Sequence, residues 1–197
     1  MKHFKIDWQE QWALHAEGYA DGRAHISLSP YGVEKTCLLA PGAGFGDFSH
    51  PTTRLMLHLM APLVKEKMII DIGSGSGILT ICALLMGAKK SIGIEIDSLA
   101  VEHAKNNAAL NQIEVDFLLP HEISSMSSEV VLMNMICAEQ KCAWETYKKW
   151  IPRPRCIITS GILSSDQNNY LSLANSWGWS LVTKQQEEEW MGFIFEK

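Results

Sequence analysis

Residues 68–77 read MIIDIGSGSG, and this stretch decides the fold class. Met68–Ile72 is a short apolar run, typical of a strand buried on both faces of a sheet. Three glycines at every second position follow it, and Ile78–Met86 then predicts a helix that stops at Gly87, a common C-terminal cap. Glycine permits positive φ and lets a ligand approach the backbone closely. A strand, a glycine turn and a helix in this order therefore predict a ligand site at the helix N-terminus.

Strand and helix patterns alternate from this point to the C-terminus. The further predicted strands are Ser91–Glu95, Ile113–Leu118, Val130–Asn134, Cys156–Ser160, Trp179–Thr183 and Trp190–Phe195. The helices predicted between them are Ser98–Leu110, opened by Asp97 or Ser98, then Ala138–Trp150 and Ser164–Trp177. No helix separates the last two strands, so we expect them to pair with each other. The chain is predicted to be an α/β protein with a Rossmann-like seven-stranded sheet, helices on both faces and a C-terminal antiparallel hairpin.

The spacing of the glycines indicates which ligand the turn binds. The dinucleotide pattern GxGxxG would need its third glycine at position 78, which is Ile78, whereas the third glycine here is Gly77. The resulting DxGxGxG is the form found in S-adenosylmethionine sites, and seven strands with a terminal hairpin are the layout of class I methyltransferases. The alternative is a glycine turn in an unrelated sheet protein.

Polar side chains stand where such a cofactor would need them. Glu95 follows Gly75 by twenty residues, and a carboxylate at the end of the second strand can accept hydrogen bonds from both ribose hydroxyls. Asp71 can accept, directly or through water, from the amino group of the cofactor, and Ile96 is expected against its adenine ring. Asn134 ends the fourth strand, and its amide suits the methionine end or a substrate amine. The predicted cofactor-binding residues from this argument are Asp71, Gly73, Gly75, Glu95, Ile96 and Asn134.

These residues also have simpler interpretations. Glu95 can be interpreted as an ordinary exposed acid after a strand, Asn134 as a turn residue and Asp97 as a helix cap.

Composition makes several classes of protein improbable. The 197 residues fit one domain, 47% of them are hydrophobic, and the formal net charge is −5. No cluster of Lys and Arg exceeds two residues, which disfavours a nucleic-acid substrate. No apolar run approaches the ~18–20 residues of a membrane span. Five cysteines without CxxC pairs, and no signal peptide, lead us to expect a soluble cytoplasmic protein with reduced thiols and no metal site.

Residues 1–50 differ in pattern from the rest of the chain. They are predicted to be an N-terminal helical and strand extension, with Trp8 and Trp12 on an amphipathic piece, followed by a Gly-rich substrate loop. Residues 51–197 are predicted to be the cofactor-binding domain. Thr52 or Thr53 can cap the helix that opens this second part and ends near Pro62.

Several segments together resemble one known family. PGAGFGDFSHPTTRL, IIDIGSGSGILTICALLMGA, GIEIDSLAVEHAKNNAALN, VVLMNMI, SGIL and EEEWMGFIF occur in this order. They are similar to the catalytic domain of the PrmA-type ribosomal protein (L-eleven) methyltransferase family, from about Trp8 to the C-terminus. The HPTT segment and the terminal SGIL…EW pattern are not general to methyltransferases. By this resemblance the chain is expected to use S-adenosylmethionine to methylate amino groups of a large-subunit ribosomal protein.

The resemblance also implies roles for individual residues. Thr53, or Thr52 instead, would contact the cofactor together with Gly73, Glu95 and Asn134. Phe45 and its neighbours would form a substrate loop over the cofactor and the target amine. His50 in the same loop could take a proton, although a histidine there is more often structural.

Two departures from the family pattern concern the substrate. Family members usually carry a separate N-terminal domain that docks the ribosomal protein, and we expect that module to be missing here. The family loop usually reads GTGTHPTT, whereas Asp47 and Phe48 replace small residues in this chain.

The sequence therefore predicts a protein N-methyltransferase acting on a lysine or N-terminal amine. A small-molecule or other non-ribosomal methyltransferase, and a non-catalytic cofactor-binding regulatory protein, remain alternatives. An NAD-dependent dehydrogenase is disfavoured by Ile78. Burial beside a positive sulfonium lowers the pKa of a target amine, so no dedicated base is required and no catalytic residue is predicted.

Overall fold

The computed structural model describes residues 18–44, 46, 49–151 and 154–197. The strands are β1 (Tyr19–Ala20), β2 (Arg23–Ser27), β3 (Thr36–Leu39), β4 (Met68–Ile72), β5 (Lys90–Ile94), β6 (Asp116–Leu118), β7 (Val130–Asn134), β8 (Cys156–Leu163), β9 (Ser180–Glu187) and β10 (Trp190–Glu196). The α-helices are α1 (Pro51–Met60), α2 (Ile78–Leu85), α3 (Ser98–Leu110), α4 (Cys137–Tyr147) and α5 (Gln167–Ser176). The predicted piece around Trp8 and Trp12 lies outside the described residues.

The main sheet has the strand order β6-β5-β4-β7-β8-β10-β9. Strands β4 to β8 pair in parallel, and β10 pairs antiparallel with both β8 and β9. From β4 the chain moves outward through β5 to β6, and then starts again on the other side at β7. This reversal leaves a crevice at the carboxyl ends of β4 and β7, where open α/β sheets bind ligands. The predicted fold class is confirmed.

Several predicted boundaries shift by a few residues. β5 ends at Ile94, so Glu95 lies just beyond the strand rather than in it. β6 covers only Asp116–Leu118, because Ile113 closes the turn after α3 by donating to the Ala108 carbonyl. β8 continues to Leu163 because β10 pairs along its whole length.

Two helices also differ in extent from their predictions. The helix predicted over 164–177 begins as a 3-10 turn at Ser164–Asp166 and becomes α5 only from Gln167. The helix predicted over 138–150 is α4, which ends at Tyr147.

Neighbouring residues of β4 point to opposite faces of the sheet, as strand geometry requires. Ile69 packs in a cluster with residues of α1, α2 and α3, whereas Ile70 packs with Trp144 of α4 and Tyr170 of α5. Apolar side chains on both faces explain why β4 reads as a continuous hydrophobic run. Over the described ranges, no helix is long and apolar enough to cross a membrane.

Strands β1, β2 and β3 form a small antiparallel sheet. Ala24 and Ile26 of β2 are buried while their neighbours are exposed, which is the alternation of a sheet with one covered face. Both side chains belong to the same core cluster as Met56 of α1. The described part of residues 1–50 therefore shares its core with the rest, and the boundary at residue 50 stays a prediction.

The predicted terminal hairpin is present, with longer strands than expected. β9 begins at Ser180 and β10 lies between β8 and β9, so the last strand is an inner one. Met191, Phe193 and Phe195 of β10 are buried, and Phe193 lies 5.2 Å from the Tyr170 ring, centroid to centroid. The hairpin thus contributes the aromatic core under α4 and α5.

Replacing Phe193 with alanine is expected to lower the free energy of unfolding by about 3–5 kcal/mol, since it leaves a cavity in this aromatic core. Val182→Ala on the neighbouring strand, where the side chain is 53% exposed, is the control and is expected to have little effect. Urea denaturation of the two variants checks this. Equal losses for both would contradict the assignment of β10 to the core.

Candidate functional site

A cavity of about 780 Å³ opens at the carboxyl ends of β4, β5 and β7. Five of the residues predicted to bind the cofactor line it: Gly73, Gly75, Glu95, Ile96 and Asn134. They come from three different strand ends and meet because parallel strands all end at the same edge of the sheet.

The glycine turn forms one wall of the cavity. Gly73 has φ +75°, and its N–H donates to the Ile94 carbonyl at 2.8 Å. Gly77 has φ +83°, and a Cβ there would lie 2.8 Å from the Phe117 ring. Both the backbone conformation and the close packing therefore require glycine. The turn presents backbone instead of side chains to a ligand at the start of α2.

The carboxylate of Glu95 is held by backbone N–H groups. One oxygen accepts from Gly75 at 3.0 Å, and the other accepts from Ile96 at 2.7 Å and Asp97 at 3.1 Å. These bonds orient the carboxylate between the glycine turn and the start of α3. Asp97 caps α3 by accepting from Leu99 N at 2.9 Å, as predicted. A carboxylate that is fixed in this way can bind a pair of vicinal hydroxyls on a ligand.

The position of Asp71 differs from the one expected for a residue that binds the cofactor. β4 ends at Ile72, and the Asp71 side chain is buried inside the sheet and does not line the cavity. Thr80 donates to one carboxylate oxygen at 2.7 Å, while the other has no partner among the described residues. Burial, followed by the nearby charge of Glu95, raises the pKa of Asp71 to about 7 despite the Thr80 hydrogen bond. This geometry therefore does not place Asp71 in direct contact with a ligand in the cavity.

The buried carboxyl of Asp71 makes the stability pH-dependent. The folded protein keeps the proton up to pH about 7, while the unfolded chain loses it near pH 4, so rising pH destabilises the fold across that window. Asp71→Asn lacks this effect. Its free energy of unfolding relative to wild type should therefore rise by about 4 kcal/mol between pH 4 and pH 8.

Denaturant titrations of both proteins at the two pH values test this. Asp21→Asn, at an exposed position, is the control and should show no such trend. A difference between Asp71→Asn and wild type that does not change with pH would contradict the prediction.

The segment after Asn134 is supported from behind by a buried glutamine. Gln140 donates through Nε2 to the carbonyls of Met135 and Ser160, at 2.7 Å each. Tyr170 donates its hydroxyl to the other end of this amide at 2.6 Å. The backbone beside Asn134 is thus fixed, and the Met135 side chain lies against Gly73 in the cavity.

Helix α4 forms a wall of the cavity that the sequence did not reveal. Glu139, Ala143 and Tyr147 lie four residues apart on one face and line the cavity. Burial, and then the charges of Glu95 and Cys142, raise the pKa of Tyr147. The spacing was visible in the sequence, but only the tertiary structure turns this face toward the site.

His50 corrects the prediction of the helix cap. His50 has an extended backbone, Pro51 takes the first helical position, and His50 Nδ1 accepts from Thr52 N at 3.3 Å. The predicted cap, Thr52 or Thr53, is therefore wrong. Thr53 lies in the first turn, fully buried and outside the cavity lining, and its Oγ1 has no partner among the described residues. The contact with a cofactor implied for Thr53 stays a prediction, and Phe45 lies outside the described residues.

The end of the loop before α1 contacts the terminal hairpin. Arg54 pairs with Glu187 at 2.5 Å and donates to the Ser49 carbonyl, and the His50 ring lies 5.3 Å from the Trp190 ring. Glu187 ends β9 and forms this ion pair. The family-like HPTT and EEEW segments are thus neighbours in space.

The end of β3 and the first residue after it are attached to the C-terminal part of α3 and its cap. Asn111 bonds to both the N–H and the carbonyl of Leu38, at 2.8 and 2.7 Å, and Asn107 accepts from Ala40 N at 2.9 Å. Asn107 also donates to the Ser76 carbonyl at 2.9 Å. In the sequence, the signal for these hydrogen bonds was the spacing of polar residues four apart on a helix that otherwise packs against the core. Within the described ranges, no group of three His, Cys, Asp or Glu could hold a metal ion.

The strand order, the glycine turn after β4 and the carboxylate after β5 define a class I, Rossmann-like methyltransferase fold. A family model described as "Ribosomal protein L11 methyltransferase (PrmA)" matches residues 6–197. With a match over nearly its whole length, this chain belongs to that family.

Individual relatives agree with this assignment. A ribosomal protein L11 methyltransferase of Dictyoglomus thermophilum is 32% identical over 201 residues, covering 92% of this chain and 67% of the relative. One of Neisseria meningitidis serogroup C is 33% identical over 163 residues, covering 82% of this chain and 55% of the relative. The chain thus spans about half the length of the first such relatives.

A solved structure supports the fold. The ribosomal protein L11 methylase of Lactobacillus delbrueckii subsp. bulgaricus superposes with a TM-score of 0.70 at 24% identity. The match covers 81% of this chain and 83% of that one.

Proposed function

We propose that this chain binds S-adenosylmethionine and transfers a methyl group to an amino group of a ribosomal protein. The observation that carries the proposal is the meeting of the glycine turn, Glu95 and Asn134 in one cavity at the strand-order reversal. The names of the relatives point to an L11-type ribosomal protein as the acceptor. Such a substrate would place the activity in the cytoplasm, with nucleic acid playing no direct part.

The residues that line the cavity offer a partner for each part of this cofactor. Glu95 would hold the ribose hydroxyls, and the 78% exposed Ile96 beside it would cover the adenine ring. Gly73 and Gly75 line the cavity with backbone, beside which the middle of the cofactor would lie. Asn134 would hold the methionine end or the incoming amine. Asp71 does not line the cavity and would act on the cofactor amino group only through water.

Bound S-adenosylmethionine supplies the methyl group on a positively charged sulfonium. The residues of this chain would contribute alignment, because the Glu95 carboxylate is fixed and the backbone beside Asn134 is held by Gln140. The Asn134 oxygen can accept from a target amine and orient its lone pair toward the methyl carbon. Apolar walls such as Ile72 and Met135 exclude water. We assign no catalytic residue, since a neutral amine needs no base to attack.

Glu95→Gln is expected to weaken S-adenosylmethionine binding about 10- to 100-fold, because hydrogen bonds to a charged acceptor are replaced by weaker ones. Calorimetric titration measures the Kd. Glu102→Gln, on the exposed side of α3, is the control and should bind like wild type. Unchanged affinity of the Glu95 variant would contradict the assigned ribose contact.

The methyl acceptor is tested with S-adenosylmethionine carrying a labelled methyl group. The full chain is incubated with a purified L11-type ribosomal protein, alone and within large ribosomal subunits, and with a protein-free extract of small molecules. Label on lysine or the N-terminal amine of the ribosomal protein is expected, and mass spectrometry locates it. Label confined to small molecules would indicate the alternative methyltransferase. Binding without any transfer would indicate a regulatory protein.

A further inference from the structure

The imidazole of His103, on α3, joins two points of the loop that covers the glycine turn. His103 Nε2 lies 2.7 Å from the Ala40 carbonyl, and Gly44 N donates to Nδ1 at 3.1 Å. A carbonyl oxygen only accepts, and a backbone N–H only donates. Both bonds therefore require the neutral imidazole with its proton on Nε2. The Asn107 amide nitrogen, 3.3 Å from Nε2, is then a packing contact.

The segment 40–44 between these two bonds lies against both the histidine and the site. A Cβ on Gly42 would collide with the His103 ring, so the backbone rests directly on it. Ala43 lines the cavity, and a Cβ on Gly44 would lie 2.5 Å from the backbone of Gly75. The segment is thus a second layer over the glycine turn.

Helix α3 holds both of these layers. His103 bonds to the loop, while Asn107, one turn later, bonds to Ala40 and to the Ser76 carbonyl of the glycine turn. Ser76 Oγ donates to the Gly46 carbonyl at 2.5 Å and joins the layers directly. The relative position of loop and turn is consequently fixed by buried polar groups on one helix face.

We propose that His103 is a positioning residue for cofactor binding, which holds segment 40–44 against the glycine turn and so sets how tightly the cavity retains S-adenosylmethionine. This rests on the proposed function. Without the two imidazole bonds, Ala43 and Gly44 lose their attachment to α3, and one wall of the cavity loosens while the main sheet stays intact.

The test compares three variants by calorimetry, dissociation kinetics and urea denaturation. His103→Leu is expected to raise the Kd for S-adenosylmethionine about 10-fold, mainly through faster dissociation. His103→Gln, whose amide can donate to Ala40 and accept from Gly44, should recover most of the affinity. Asn111→Leu is the matched control, because it removes part-buried hydrogen bonds between the C-terminal cap of α3 and Leu38, away from the cavity. It should lower stability and leave the Kd within about twofold of wild type.

Amide hydrogen exchange without cofactor measures the attachment of the loop independently of cofactor affinity. The Gly44 amide should exchange faster in His103→Leu than in wild type and Asn111→Leu. An unchanged Kd in folded His103→Leu, or an equal loss of affinity in Asn111→Leu, would overturn the positioning role. If wild type itself binds no S-adenosylmethionine, the proposed function fails, and the exchange rate of Gly44 alone then decides whether His103 holds the loop.

Discussion

The Glu95 carboxylate accepts three backbone N–H groups, and the geometry of the cavity depends on this arrangement. One oxygen is bound to the glycine turn after β4, and the other to the two residues that lead into α3. A charged acceptor in this position fixes two strand ends relative to each other. The ligand-binding face therefore exists before any ligand arrives, and little conformational freedom remains to be lost on binding.

Buried polar side chains behind the cavity wall support the residues that face the cavity. Gln140 fixes the backbone after Asn134, and Asn107 fixes the glycine turn through Ser76. Each of these side chains is fully buried and hydrogen-bonded, so each strongly restricts the conformation of the neighbouring backbone. The backbone that faces the cavity is thus held by residues that do not line it.

The sequence predicted the central architecture because that information is local. The apolar run of β4, the glycines after it and Glu95 twenty residues later lie within one stretch of chain, and the structure brings them together as expected. The role of His103 was not predictable, since its partners are about 60 residues away in a loop without secondary structure. The cap of α1 was mispredicted because threonine is the commoner cap, whereas Pro51 favours the residue before it, His50.

The reversal of strand order between β4 and β7 also bears on how the chain folds. Ile70 of β4 pairs with Ile92 about 20 residues away, but with Val131 about 60 residues away. Closing the shorter loop costs less chain entropy, so the pairing of β4 with β5 and β6 depends on more local contacts than the pairing of β4 with β7. Glu95 belongs to the first half and Asn134 to the second. A cavity with both walls exists only when β4 is paired with β7, so ligand binding reports that the two halves have joined.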